Sequence, residues 1–159
     1  MYACDGTWWD IHYQTVKDSV KSELWTQDVA ARDRHKLKWL ESIDHPGLGK
    51  DKLHQGQNSG YQAINLAYIQ GAKRIYLLGY DMGFTGDKRH FFGEHPNPLG
   101  QGSDYPQLCR NFATIDPKHY GIEIINCTRK TNLDCFVRAD FDEVTSGYIR
   151  HRAKPRKAA

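Results

Sequence analysis

The sequence of residues 57–81, which we call the decisive stretch, is QNSGYQAINLAYIQGAKRIYLLGYD. In it the apolar residues Ile64, Ala67 and Tyr68 recur at helical spacing, while the polar Gln62 and Asn65 fall on other faces. One apolar stripe is therefore expected to be buried. The pattern predicts a helix over residues 60–70.

Both ends of this helix carry their own signals. Asn58 or Ser59 suits the N-cap, because a side-chain oxygen there accepts a hydrogen bond from an unpaired first-turn amide. Gly71 suits the left-handed residue that ends a helix. The apolar run at 75–78 then predicts a short strand of a parallel sheet that helices cover on both faces. A helix followed at once by such a strand is half of a βαβ unit, which predicts an α/β fold.

Weaker signals along the rest of the chain alternate in the same way. We expect one Rossmann-like α/β domain over residues 1–148, with a mostly parallel sheet and helices on both faces, and a basic, disordered tail over 149–159. The patterns predict strands at 1–4, 24–26, 37–40 and 122–126, helices at 29–34 and 103–115, and loops at 44–57 and 82–102.

Charge is divided unevenly along the chain. The net charge is +3, but the last ten residues hold five bases and no acid, which leaves 17 bases against 19 acids on residues 1–149. Such a tail is commonly a solubilising end, and weak nucleic-acid contact through it stays an alternative. No apolar run approaches the roughly 20 residues of a membrane span, so we expect no membrane partner and a cytoplasmic location.

The four cysteines stand far apart, with no CxxC pair and no histidine at zinc-finger spacing. We expect reduced thiols that pack as small apolar residues, and neither a cofactor nor a metal. A zinc or manganese site at Asp81, His90, Glu94 and His95 is the alternative, because these are good ligand types. His90 and His95 lack the i, i+4 spacing of a helical metal motif.

In an α/β sheet, ligands bind beyond the carboxyl ends of the strands, and the loops of the decisive stretch are expected to lie there. The turn at 58–60 and Asp81 are therefore expected to open onto one shared cleft. The irregular region 82–102 follows directly and is a candidate lid or substrate loop. Near the N-terminus, Asp5 and Asp10 lie close to Trp8 and Trp9 in the sequence and are a candidate sugar site, since carboxylates bind hydroxyls and indole faces stack on sugar rings. Core packing is the alternative.

Four motifs carry a resemblance to known proteins: Gln57-Asn58-Ser59-Gly60, Gly71-Ala72-Lys73-Arg74-Ile75, Leu78-Gly79-Tyr80-Asp81-Met82 and His90-Phe91-Phe92-Gly93-Glu94-His95-Pro96. Together they resemble phage-encoded proteins described as norphogenetic. More distantly, residues 58–81 resemble bacterial sialyltransferases and related proteins of unknown function. A Gly-Pro-Ser segment that forms the first strand in those proteins has no counterpart before Met1, so the resemblance implies a Rossmann-like sheet without that strand.

The resemblance implies a donor site for a nucleotide sugar. Asn58, Ser59 and Gly60 would contact the donor, with helix N-terminal amides favouring its phosphate, and Asp81 would shape the pocket. The tyrosine that follows this aspartate by two positions in the sialyltransferases corresponds here to Gly83.

Glycosyl transfer also needs a base for the acceptor hydroxyl and a positive neighbour for the departing phosphate. Histidine has a suitable pKa, which makes His90 or His95 the candidate base. Lys88 or Arg89 is the candidate phosphate neighbour.

Three functions follow from these observations. The first is a nucleotide-sugar-dependent, sialyltransferase-like glycosyltransferase of phage origin, acting in the host cytoplasm. The second is a non-catalytic module that holds or sequesters a nucleotide. The third is a phage assembly or interaction protein. A homo-oligomer is a further alternative, because an unpaired strand edge can pair with another chain.

Overall fold

The structure is a computed structural model that describes residues 1–84, Gly86, Leu99 and residues 104–152. Within these residues the helices are α1 (Gly6–Ser19), α2 (Val29–His35), α3 (Ser59–Ile69), α4 (Tyr105–Phe112), α5 (Pro117–Tyr120) and α6 (Phe141–Arg152). The strands of the same residues are β1 (Trp25–Thr26), β2 (Lys38–Trp39), β3 (Ser42–Ile43), β4 (Leu53–His54), β5 (Arg74–Leu77), β6 (Glu123–Asn126) and β7 (Val137–Arg138).

Every strand pairing among the described residues is parallel. β1 pairs with β2, β3 with β4, and β6 lies between β5 and β7. Tyr2 adds a parallel bridge to Trp25. Helices are interspersed with these parallel strands along the chain, so the predicted α/β class is confirmed. The strands pair as three small sheets, and a single continuous Rossmann-like sheet stays a prediction.

The decisive stretch folds as its signals predict. Asn58 is the N-cap of α3, and its side chain accepts hydrogen bonds from two first-turn amides. At the other end Gly71 has φ +87°, its amide donates to Tyr68 O, and the next amide donates to Ala67 O. This pair of hydrogen bonds is a Schellman motif, which satisfies two terminal carbonyls. The chain can then enter β5 after only a few residues.

The prediction that α3 buries a single apolar stripe is wrong. Gln62 and Asn65 are buried at 2% and 0% exposure, beside the apolar Tyr61 and Ile64. Asn65 is buried because the chain at Gly49 and β4 covers that side of the helix and takes its hydrogen bonds. α3 is thus a central helix, packed on opposite faces.

Residues 44–57, predicted to be a loop, contain strand β4. The turn before this strand is buried, and its backbone is fixed from three directions. Gly47 N donates to Thr114 Oγ1 at 2.9 Å, Leu48 N to Tyr120 Oη at 2.9 Å, and Gly49 N to Asn65 Oδ1 at 3.1 Å. Residues 47–49 are therefore part of the packed interior and not of an exposed loop.

Two groups of buried apolar side chains form the core. The N-terminal core lies around α1 and α2, and the central core around α3, β5 and β6. Phe112 lies at the middle of the central core, with ring centroids 5.4 Å from Tyr61 and 5.9 Å from Tyr80. The N-terminal core consists of Ala3, Trp9, Val16, Ala31 and Leu37. The central core consists of Leu48, Tyr61, Ile64, Leu77, Phe112, Ile115, Ile122, Ile124, Leu133 and Phe136.

The C-terminal half departs from the predicted boundaries in two places. The predicted helix at 103–115 is the shorter α4, followed by the separate short helix α5, because Pro117 begins a new helical turn. The last helix, α6, extends to Arg152, so residues 149–152 of the predicted disordered tail are helical. Residues 153–159 lie outside the described part of the chain. No helix in the described part is long and apolar enough to span a membrane.

Candidate functional site

Two helices begin side by side at a cavity of about 390 Å³, which we call the first cavity. α1 starts there after the bridge-forming Tyr2, and α3 starts there with Ser59. The volume lies within the range of small-molecule pockets. The described residues that line it are Tyr2, Ala3, Cys4, Asp5, Trp8, Ser59 and Leu99.

Asp5 is fixed at the start of α1. Its Oδ1 accepts from Thr7 N at 2.8 Å and from Trp8 N at 3.3 Å, the arrangement of an N-cap. Gly6 follows it, where a Cβ atom would lie only 2.7 Å from Asp28 Oδ2. Asp5 Oδ2 has no hydrogen-bond partner among the described residues. The carboxylate is therefore held in place by one oxygen while the other is available to a ligand.

Cys4 connects the two helix starts. Its Sγ lies 2.7 Å from Ser59 Oγ, a contact between residues 55 positions apart. Burial raises the pKa of the Cys4 thiol above its ordinary value, and the Ser59 hydroxyl offsets this only in part. The thiol is consequently neutral at physiological pH. A neutral thiol is a weak hydrogen-bonding group rather than a nucleophile.

One wall of the first cavity is fixed by a chain of polar side chains. The Tyr2 hydroxyl donates to Gln62 Oε1, and Gln62 Nε2 donates to Gln27 Oε1 at 3.3 Å. Burial raises the pKa of Tyr2, so its phenol keeps its proton. The buried Gln62 thus ties the N-terminal segment to α3.

Asn58 and Gly60 serve the helix start rather than the cavity. Asn58 Oδ1 accepts from Gly60 N at 2.8 Å and from Tyr61 N at 3.2 Å. Tyr80 covers the other side of Gly60, since its hydroxyl donates to Gly60 O at 3.0 Å and its ring would lie 2.8 Å from an added Cβ. Neither Asn58 nor Gly60 is among the described residues that line the first cavity. The two amides expected to receive a phosphate are already bonded.

Asp81 lines a different cavity from Ser59. This second cavity, of about 400 Å³, lies at the carboxyl ends of β5, β6 and β7. The expected shared cleft is thus divided into two cavities, one with Asp5 and Ser59 and one with Asp81. Leu78, Gly79, Asp81, Cys127, Thr128, Arg129, Lys130, Asp140, Phe141 and Asp142 line the second cavity among the described residues.

Some predicted site residues lie outside the described part of the chain. These are the candidate bases His90 and His95 and the candidate phosphate neighbours Lys88 and Arg89. Among the described residues no group of three or more His, Cys, Asp or Glu side chains is placed to hold a metal ion. The roles of these four residues stay predictions.

Sequence reasoning missed Cys4, Arg129 and Lys130 as cavity residues. Cys4 was grouped with the buried thiols, yet it is partly exposed; among the cysteines only Cys127 is fully buried. The available signal was its position: Cys4 lies directly before Asp5, the N-cap of α1, and two residues after Tyr2, which forms a β-bridge. Arg129 and Lys130 follow β6 in the same way, beyond Asn126.

Comparison of the chain with protein-family models, with curated proteins and with solved structures gives no match. The resemblance to phage proteins and sialyltransferases therefore rests on the quoted motifs.

Proposed function

We propose that the protein binds a nucleotide sugar in a sialyltransferase-like manner, with the sugar in the first cavity. One observation carries the proposal: Asp5 and Ser59, far apart in the sequence, line one cavity together with the partly exposed indole of Trp8. A carboxylate and a hydroxyl bind sugar hydroxyls, and an indole packs on the apolar face of a sugar ring. The three groups match the surface of a monosaccharide.

Each polar group of the first cavity has a defined task in this proposal. Asp5 Oδ2 accepts a hydrogen bond from a sugar hydroxyl, since Oδ1 is held by the amides of α1. When the Cys4 thiol donates to Ser59 Oγ, the serine proton is free to donate to the ligand. Cys4 therefore orients the Ser59 hydroxyl.

Transfer of the sugar requires two further groups. A base must accept the proton of the acceptor hydroxyl, and a positive charge must stabilise the departing phosphate. In the proposed transferase these tasks fall to His90 or His95 and to Lys88 or Arg89, which the sequence places in one segment.

A non-catalytic nucleotide-holding module is the second candidate, and two observations favour it. Asn58 already occupies the amides of Gly60 and Tyr61, which a donor phosphate would otherwise use. No cation lines the first cavity among the residues that the structure describes. This candidate differs from the transferase in one result: binding without turnover.

A thermal-shift screen tests the proposal. A ligand that binds only the folded state at 100 times its Kd adds about 2.7 kcal/mol of stability, so nucleotide sugars should raise the Tm. Ser59→Tyr places a large ring in the cavity at an exposed position and should abolish the shift. Thr15→Tyr, on an exposed part of α1, is the matched control and should keep it.

Two outcomes would overturn nucleotide-sugar binding. One is the absence of a Tm shift with CMP-, CDP- and UDP-sugars alike. The other is an equal shift in the wild type and in Ser59→Tyr. The first outcome would favour the assembly role. Release of free nucleotide from a bound nucleotide sugar, lost in a His90→Ala, His95→Ala double variant, would distinguish transfer from simple holding.

A further inference from the structure

The second cavity lies at the place where open parallel sheets bind ligands. β5, β6 and β7 are adjacent and parallel, and their carboxyl ends all open onto it. Ligands of α/β proteins lie in a crevice outside such ends. The nucleotide-sugar proposal does not use this cavity, and its Arg129, Lys130 and Asp142 have no task in the fold described above.

A dense set of hydrogen bonds fixes the loop that carries the cations of this cavity. Asn126 Nδ2 donates to Leu133 O at 3.1 Å, and Asn126 Oδ1 accepts from Thr128 N at 3.0 Å. Across the loop, Tyr80 N donates to Thr128 Oγ1 at 3.0 Å. Arg138 Nη2 donates to Thr128 O at 2.7 Å from the other side. The loop is therefore preorganised, and ordering it on binding costs little.

The charges presented by this loop are not neutralised within the described structure. Arg129 and Lys130 are exposed, and neither has an ion pair among the described residues. Asp140 lines the same cavity and accepts from Asp142 N at 2.8 Å through its Oδ1. With Asp81 and Asp142 it places three carboxyl groups beside the two basic side chains. Because neither Arg129 nor Lys130 is paired with a carboxylate among the described residues, both can bind an anion.

The cavity also has an apolar lip. Leu78 at the end of β5 is 55% exposed, and Phe141 at the start of α6 is 38% exposed. Both line the second cavity. Large apolar side chains next to open charges form a surface that suits a ligand with an aromatic part and an anionic part.

We propose that the second cavity binds a nucleoside monophosphate. The phosphate lies against Arg129 and Lys130, where charge-assisted hydrogen bonds hold it. The ribose hydroxyls donate to the Asp142 carboxylate, and the base packs against Phe141 and Leu78. This ligand class uses the cations, the carboxylate and the apolar lip together, and it does not depend on what the first cavity binds.

Isothermal titration of the full chain with AMP and UMP tests this assignment. Arg129→Gln and Lys130→Gln should each weaken binding at least tenfold, because each removes a charge from the phosphate. Lys50→Gln removes an exposed charge elsewhere and should leave the affinity unchanged. Equal affinity in all three variants, or no binding by the wild type, would overturn the proposal.

Two further titrations separate a nucleotide from a simple anion. Phe141→Ala should weaken AMP at least threefold and leave inorganic phosphate unchanged, whereas phosphate binding as tight as AMP would overturn the nucleotide assignment. Asp142→Asn should weaken AMP but not phosphate. Ser59→Tyr should leave AMP binding intact. Loss of nucleotide-sugar binding at the first cavity can therefore be distinguished from loss of AMP binding at the second cavity.

Discussion

Two polar regions beside α3 differ in how their hydrogen bonds are used. Around Asn65, Oδ1 accepts from Gly49 N and His54 N, and Nδ2 donates to Gly49 O, all inside the protein. At the first cavity, Asp5 Oδ2 has no partner in the described structure, and Ser59 meets only a weakly bonding thiol. The region around Asn65 therefore stabilises the fold, while the first cavity keeps polar groups available to a ligand.

The largest effect is expected at Asn65. Asn65→Ala leaves two buried amides and one buried carbonyl without partners, each at a cost of about 1–3 kcal/mol when not fully recovered by water. We expect the free energy of unfolding to fall by about 3–4 kcal/mol. Urea denaturation measures it, with Gln70→Ala at the exposed end of α3 as the control. A loss below about 1 kcal/mol would show that the hydrogen bonds of Asn65 do not stabilise the fold.

A smaller effect is expected from Tyr80, whose hydroxyl donates to Gly60 O next to Ser59. Burial raises the pKa of Tyr80 to about 12. The unfolded chain loses this proton near pH 10, before the folded protein does, so unfolding becomes more favourable as the pH rises between these values. The contribution is complete below pH 10 and is lost towards pH 12.

The Tyr80 contribution is about 1–2 kcal/mol after allowance for partial exposure. Urea denaturation from pH 9 to pH 12 measures it, in the wild type and in Tyr80→Phe. The variant should show a shallower fall of stability with pH. The same slope in both proteins would show that Tyr80 does not resist ionisation in the fold.

The smallest effect on stability is expected at Asp5. Asp5→Ala removes the cap of α1 and should cost about 1 kcal/mol, whereas Asp5→Asn keeps a good N-cap and should change stability by less than about 0.5 kcal/mol. Thermal unfolding of both variants measures the difference. An equally large loss in Asp5→Asn would mean that the charge itself stabilises the fold, which would weaken the contrast with Asn65.

The two ends of α3 were predictable because each depends on the conformational preference of a single residue. Asn58 accepts first-turn amides and Gly71 adopts a left-handed conformation, and both preferences belong to the residue itself. The burial of Asn65 was not predictable, since it depends on the distant Gly49 and β4 covering that face. Polar periodicity alone cannot distinguish a solvated face from a face that meets backbone.

The candidate site likewise has parts that the local sequence predicts and parts that depend on distant contacts. Asp5 was proposed as a carboxylate near tryptophans and Ser59 from its place at a helix start, and both line the first cavity. The separation of Asp81 from Ser59 was not predictable, because Tyr80 packs against Gly60 and against Phe112, which lies much later in the chain. Strand pairings set which loops meet, and two-residue strands such as β1 and β4 carry too short a pattern to reveal those pairings.

Titration of the wild type and of Asp5→Asn with a CMP-sugar decides whether the first cavity binds a ligand through its free carboxylate oxygen. Because the variant keeps the cap of α1 and loses the charge, we predict an unchanged Tm without ligand and an affinity at least tenfold weaker. Unchanged affinity for the CMP-sugar in Asp5→Asn would contradict the assignment of the first cavity as the sugar site.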